Sequence, residues 1–218
     1  MINLKTVISM AAAMLIGVSS TGALALGHSG GGGLGGMLGG GGGEKVDFAA
    51  AESEVVGLIN GSLKNLATAQ AKILGALGLK EDAAVAEQNA KDLESGSLTG
   101  KDEMASKIDS SKALNDKIVA KLGEKQALDA GAKAEFGKSL LPYAKGVITG
   151  VQGGRKAIET FKSLSANPMQ LTKFGTLAYV GQEAPGLISN FVDATKAIKD
   201  FATFQGIPTD DLAQASGL

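Results

Sequence analysis

The chain has no cysteine and no tryptophan, one histidine, four prolines, and aromatic rings at only 4% of its 218 residues. Without cysteine there is no disulfide framework and no thiolate nucleophile, so stability must come from packed apolar surface. The lone histidine, His28, falls in a glycine tract where nothing would hold its ring in place. That removes Ser-His-Asp and Cys-His catalysis, histidine-ligated zinc and haem ligation in one step. With no indole and few phenols, stacking on sugar rings is poorly served. Charge of either sign is not in excess: 21 Lys and Arg stand against 22 Asp and Glu. That balance argues against nucleic acid, which asks for a basic surface, and against strong attraction to anionic lipid heads.

What is present begins with residues 1–25. Lys5 is the only charge before Glu44, residues 7–18 are apolar, and Ala23-Leu24-Ala25 supplies a small-x-small exit. A basic start, a short apolar core and a small-residue exit make a secretory signal peptide. A core of about 12 residues is too short for the roughly 20 that span a bilayer. The expectation is export, to the periplasm or the medium, with cleavage after Ala25. Cleavage takes only Lys5 among the charges, leaving 193 of the 218 residues, enough for one domain with a real core. With no cysteine after the exit, a lipid anchor of the lipoprotein kind is excluded.

Residues 26–43 hold twelve glycines, interrupted mainly by His28, Ser29, Leu34, Met37 and Leu38. Such a segment loses most backbone entropy on ordering, so it reads as a disordered, flexible linker. A sticky segment using Leu34, Met37 and Leu38 is the alternative. No Gly-Lys-Ser/Thr is present to make it a phosphate loop.

From residue 44 to 218 the pattern is helical throughout. Val56, Ile59, Leu63, Leu66, Gln70, Ile73 and Leu77 alternate by three and four, with Gly78 as the stop. Lys80 to Ser95 reads as a shorter, alanine-rich helix with Ala83, Ala86, Ala90 and Leu93 on one face. Thr99 is a candidate cap for a helix running to Leu122 through Met104, Ile108, Ser111, Asn115 and Ile118. The strongest stripe is Phe136, Leu140, Tyr143, Val147, Gly150, Gly154, Ala157, Phe161 and Leu164, with Pro142 inside it. Asn167-Pro168 restarts the chain, and a helix through Gln182 follows. Ala184-Pro185-Gly186 is expected to make a corner before a last helix striped by Leu187, Phe191, Ala194, Ile198 and Phe201. Pro208, with Asp210 and Asp211, starts one more turn. No hairpin signal appears, and the short connections make sequential helices antiparallel neighbours. The fold expected is all-α: an elongated up-and-down bundle of five to six antiparallel helices.

Four features bear on function. The carboxylate pairs Glu52 and Glu54, Glu81 and Asp82, Asp102 and Glu103, and Asp210 and Asp211 sit at helix starts or on polar faces, which the helix dipole favours without any site. No Glu-x-x-His and no calcium-loop spacing occurs, so neither metal nor cofactor is expected. Gln70, Ser111 and Asn115 interrupt apolar stripes, which reads as a buried register-fixing layer, a stripe misassigned by one residue in the third helix, or a polar spot orienting a ligand. Gly146, Gly150 and Gly154, repeated by Gly57 and Gly61, read as close helix approach or as room for a ligand.

Residues 163–192 are the most apolar, with only Lys173 and Glu183 charged, and read as core, cavity wall or a membrane-seeking helical pair. The candidate ligand-lining residues are therefore Gln70, Ser111, Asn115, Gly150, Phe174, Leu177 and Phe191. The function expected is an exported, non-catalytic binding or interaction protein of the cell envelope. Its partner would be an apolar small molecule, a lipid or another protein. A membrane-active protein using residues 163–192 is the alternative. No transmembrane helix is expected in the mature chain.

Overall fold

The computed structural model describes residues 46–96, 98 and 100–217. The signal segment 1–25, the glycine tract 26–43 and the Thr99 cap lie outside the described residues. Among those described are six α-helices and no strand: α1 (Phe48–Ala76), α2 (Lys80–Ser95), α3 (Lys101–Leu122), α4 (Ala130–Ser165), α5 (Pro168–Lys173) and α6 (Gly175–Gln205). A 3-10 turn over Asp210–Leu212 follows, where Pro208 and the two aspartates announced one.

Local chemistry sets the ends. Asp47 caps α1, its carboxylate accepting from the amides of Ala49 and Ala50 at 3.1 Å. Asp129 caps α4 by accepting from Ala132 at 2.8 Å. Asn167 caps α5 with Pro168 at the first helical position. Gly78 ends α1 at φ +78, and Leu79 N–H reaches back to Leu74 O, the bond pattern of a left-handed helix stop. Gly206 does the same for α6 at φ +71.

The stripes are buried nearly as the spacing predicts. All six stripe positions of α3, Ser111 and Asn115 included, are buried, so that register is not shifted. On α4 eight of the nine are buried, Phe161 being half-buried. On α1 the buried valine is Val55, with Val56 half-exposed.

Direction alternates up and down along the chain; α1 and α2 pack side by side as sequence neighbours, but adjacency departs from sequence order at α3. α4 lies antiparallel along α1: Gly146 meets Leu66, Gly150 meets Ser62, and Gly153 meets Leu58. α6 runs antiparallel to α4, with Phe191 at Gly150 and Ile188 at Gly154. α3 runs parallel to both α1 and α6, joined to Gln70 through Ser111 and to Asn190 through Asn115. So α3 and α4, neighbours in sequence, each find other partners, with α1 at the centre.

One expected corner is absent. Ala184-Pro185-Gly186 lies inside α6, which continues to Gln205. An interior proline costs a helix about 3 kcal/mol. Leu187 and Phe191, buried on the same stripe, each contribute about 1.5–3 kcal/mol on burial and together outweigh it. The break comes instead at Phe174, at φ −109 and ψ 54, whose ring packs 5.8 Å from that of Phe48. The apolar segment 163–192 is therefore not a helical pair but the end of α4, all of α5 and the first half of α6. Leu177, Val180, Leu187 and Phe191 on it are core residues. Among the described residues no helix is long and apolar enough to cross a membrane.

Candidate functional site

Three of the expected site residues meet in a buried polar layer. Gln70 of α1 donates from Nε2 to Ser111 O at 2.8 Å and to Asn115 Oδ1 at 2.9 Å. Tyr143 of α4 donates its hydroxyl to the same Asn115 oxygen at 3.2 Å. Asn115 Nδ2 donates to Asn190 Oδ1 at 2.9 Å, and Asn190 in turn donates to Asp116. Four helices are thereby tied at one level. Burial pushes the Tyr143 phenol far above its ordinary range, against the opposing pull of hydrogen bonds with Asn115 and Thr195. Gln70 Oε1 is buried with no hydrogen-bond partner among the described residues.

The other expected residues lie elsewhere. Gly150 faces Phe191 and Ser62, each 2.5 Å from where its Cβ would be, so its role is close packing. Gly57 has nothing within 4 Å of that position, and the nearest atom to Gly61 is 3.9 Å away, so the repeat on α1 serves no close contact. Phe174 and Leu177 sit at the N-terminal end of α6, where Leu177 N–H donates to the Glu52 carboxylate at 3.2 Å. From Leu177 to Thr195 is about 27 Å of helix. The seven residues do not surround one space.

The carboxylate pairs are accounted for by helix starts and ion pairs. Glu52 caps α6 from across the bundle, Glu54 pairs with Lys156, and Asp82 pairs with Lys117. Among the described residues no group of three His, Cys, Asp or Glu side chains is arranged to hold a metal.

Among the described residues, two of the concavities have volumes well inside the range suited to a small molecule. A groove of about 440 Å³ between α1, α2 and α4 has an alanine and glycine floor, and a rim of Lys72, Glu87, Lys91, Glu94 and Glu135. A cleft of about 520 Å³ lies between the C-terminal ends of α3 and α6, walled by Val119, Leu122, Ala197, Phe201 and Phe204. Gly123, Lys125 and Asp200 complete its lining. Phe204 is 58% exposed and Val119 37%, large apolar side chains left open beside the hollow. The rings of Phe136, Phe201 and Phe204 form a ladder from core to surface, with centroids 5.4 and 6.3 Å apart.

The loop after α3 closes one side of this cleft and is held by Gln205. Its Nε2 donates to Gln126 O at 2.7 Å, and its Oε1 accepts from Leu128 N–H at 3.1 Å. Lys125 in that loop adopts φ +49, a conformation non-glycine residues rarely take. Sequence reasoning placed Leu122 and Phe201 on stripes and passed over Val119 and Phe204. The available signal was an aromatic at an off-stripe position, three residues beyond Phe201, in a chain poor in aromatics.

No protein family matches this chain, and neither a curated protein nor a solved structure is detectably similar to it.

Proposed function

We propose that this is an exported, non-catalytic binding protein that takes an apolar ligand in the cleft between the C-terminal ends of α3 and α6. Export rests on the signal pattern of residues 1–25. The observation that carries the ligand reading is Phe204, a large aromatic 58% exposed on the wall of a hollow of about 520 Å³. Ligand hollows are lined mainly by apolar and aromatic side chains, and here two of them, Phe204 and Val119, stand open together at one hollow. The strained Lys125 backbone and its tethered loop lie at the same place.

The test is titration with N-phenyl-1-naphthylamine, an apolar fluorophore. Binding should saturate and raise the melting temperature, because a ligand preferring the native state stabilises it by mass action. Phe204→Ser should abolish binding while costing no more than about 1.5 kcal/mol of stability, the upper worth of its ring contact with Phe201. Absence of saturable binding, or binding indifferent to Phe204→Ser, overturns the proposal. A membrane-active role would require Leu177, Val180, Leu187 and Phe191 to leave the core, so the bundle would have to open first.

A further inference from the structure

We infer that the loop over residues 123–128 is the gate of this cleft and that the Gln205 side chain is its latch. The inference rests on the apolar-ligand reading above and adds how the ligand enters and leaves. The loop is part of the cleft itself: Gly123 and Lys125 line the hollow that Phe204 walls.

Little besides the latch holds the loop down. Gly123 to Ala127 are all exposed, and Leu128 alone is partly buried against the core. Behind Gln126, Ala127 and Leu128 lies a second hollow, of about 200 Å³, so this stretch does not rest on a filled floor. Among the described residues, the loop's only hydrogen bonds to another helix are the two with Gln205, which donates to Gln126 O and accepts from Leu128 N–H. The latch end is fixed, since Gln205 is buried and its carbonyl accepts from Lys133 Nζ at 2.9 Å. Lys125 pulls the other way. The closed loop keeps it at φ +49, a left-handed conformation that is costly for any residue with a side chain, and opening relieves that strain. Two neutral hydrogen bonds, made at the expense of bonds to water, gain an amount of the same order as the strain costs. The closed loop therefore lies only a short way below open forms in free energy. A segment with exposed backbone and few apolar contacts opens locally, long before the bundle unfolds. A ligand seated in the cleft touches the closed loop and favours it, so binding and closure are linked.

Amide hydrogen exchange and stopped-flow release of N-phenyl-1-naphthylamine test this on the purified protein. Without ligand, Leu128 N–H should exchange at least about tenfold faster than Val147 N–H inside α4, by local opening. Saturating naphthylamine should slow Leu128 exchange about tenfold, because it binds the closed form. Lys125→Gly relieves the strain and should slow the same exchange about fivefold with no ligand present. Gln205→Met removes both bonds at similar bulk and should speed naphthylamine release about tenfold. The glycine variant guards against a folding defect in the methionine variant. The gate fails, and the cleft reading stands, if the naphthylamine binds but leaves Leu128 exchange unchanged. It fails equally if Leu128 exchanges no faster than Val147, or if either variant leaves its readout within about twofold of the wild type. If the naphthylamine does not bind, both fail.

Discussion

The Cβ that Gly150 lacks would lie 2.5 Å from Cε2 of Phe191, closer than side chains approach. The same point is 2.5 Å from Ser62 Oγ, so α4 is wedged between α1 and α6 with no room for a methyl group. Gly150→Ala should therefore destabilise by about 1–3 kcal/mol through overpacking, although alanine is the better helix former. Gly57→Ala, where nothing lies within 4 Å, should stabilise by about 0.5–1 kcal/mol. Urea denaturation of the two variants decides it. Equal stabilisation by both would show that the helices do not approach as described.

Asn115 is the hub of the polar layer and Gln70 a spoke. Asn115→Leu takes one partner each from Gln70 Nε2, which keeps Ser111, from the Tyr143 hydroxyl, which keeps Thr195, and from Asn190 Oδ1, and should cost about 1–3 kcal/mol. Gln70→Met removes the amide nitrogen that donates to Ser111 and Asn115 together with the orphaned acceptor Oε1, leaves no buried donor without a partner, and should change stability by less than about 1 kcal/mol. The double variant should recover part of the Asn115→Leu loss. Strict additivity would dissolve the network into independent contacts.

Tyr143 makes the bundle sensitive to alkali. Its folded-state phenol is held above the ordinary value of 10.0, chiefly by burial. Stability from this group is complete below the unfolded pKa and is lost progressively as pH rises beyond it. Of the two tyrosines, Tyr179 is the more accessible, though also shifted upward. An alkaline titration followed by tyrosinate absorbance should show one group ionising first. The second should ionise only as helical circular dichroism collapses. In Tyr143→Phe the second step should vanish from the absorbance. Two tyrosines ionising together in folded protein would contradict the burial.

Asp92 tests the packing of α2. Its carboxyl is held below the ordinary value of 3.8 by hydrogen bonds with Lys107 of α3 and Gln88. In Lys107→Met its midpoint, read by NMR, should rise toward that ordinary value. An unchanged midpoint would mean the bridge between α2 and α3 does not form in solution.

Much of this protein was legible one helix at a time. The stripes of α3 and α4, the Gly78 stop and the Asn167-Pro168 restart follow from local chemistry, because a buried helix face must recur every three or four residues and each end must satisfy its free backbone groups. The meeting of Gln70, Ser111 and Asn115 was legible only as three polar interruptions. That they converge on Tyr143 depends on which helices touch. The cleft was less legible still, since Phe204 lies off its stripe and acquires meaning only when Val119 comes to face it.

By itself the sequence determined that the folded part is helical, where most helices begin and end, and which face of each is buried. Those are matters of period and capping, settled within a few turns of chain. Only the tertiary structure decided that α4 lies along α1 and α6 instead of α3, and that α6 runs through Pro185. Both turn on contacts between distant residues, Gly146 with Leu66 and Gly150 with Phe191. Shape complementarity over such separations leaves no periodic trace in the chain. The burial it brings is large enough to override the local preference of a proline for a corner.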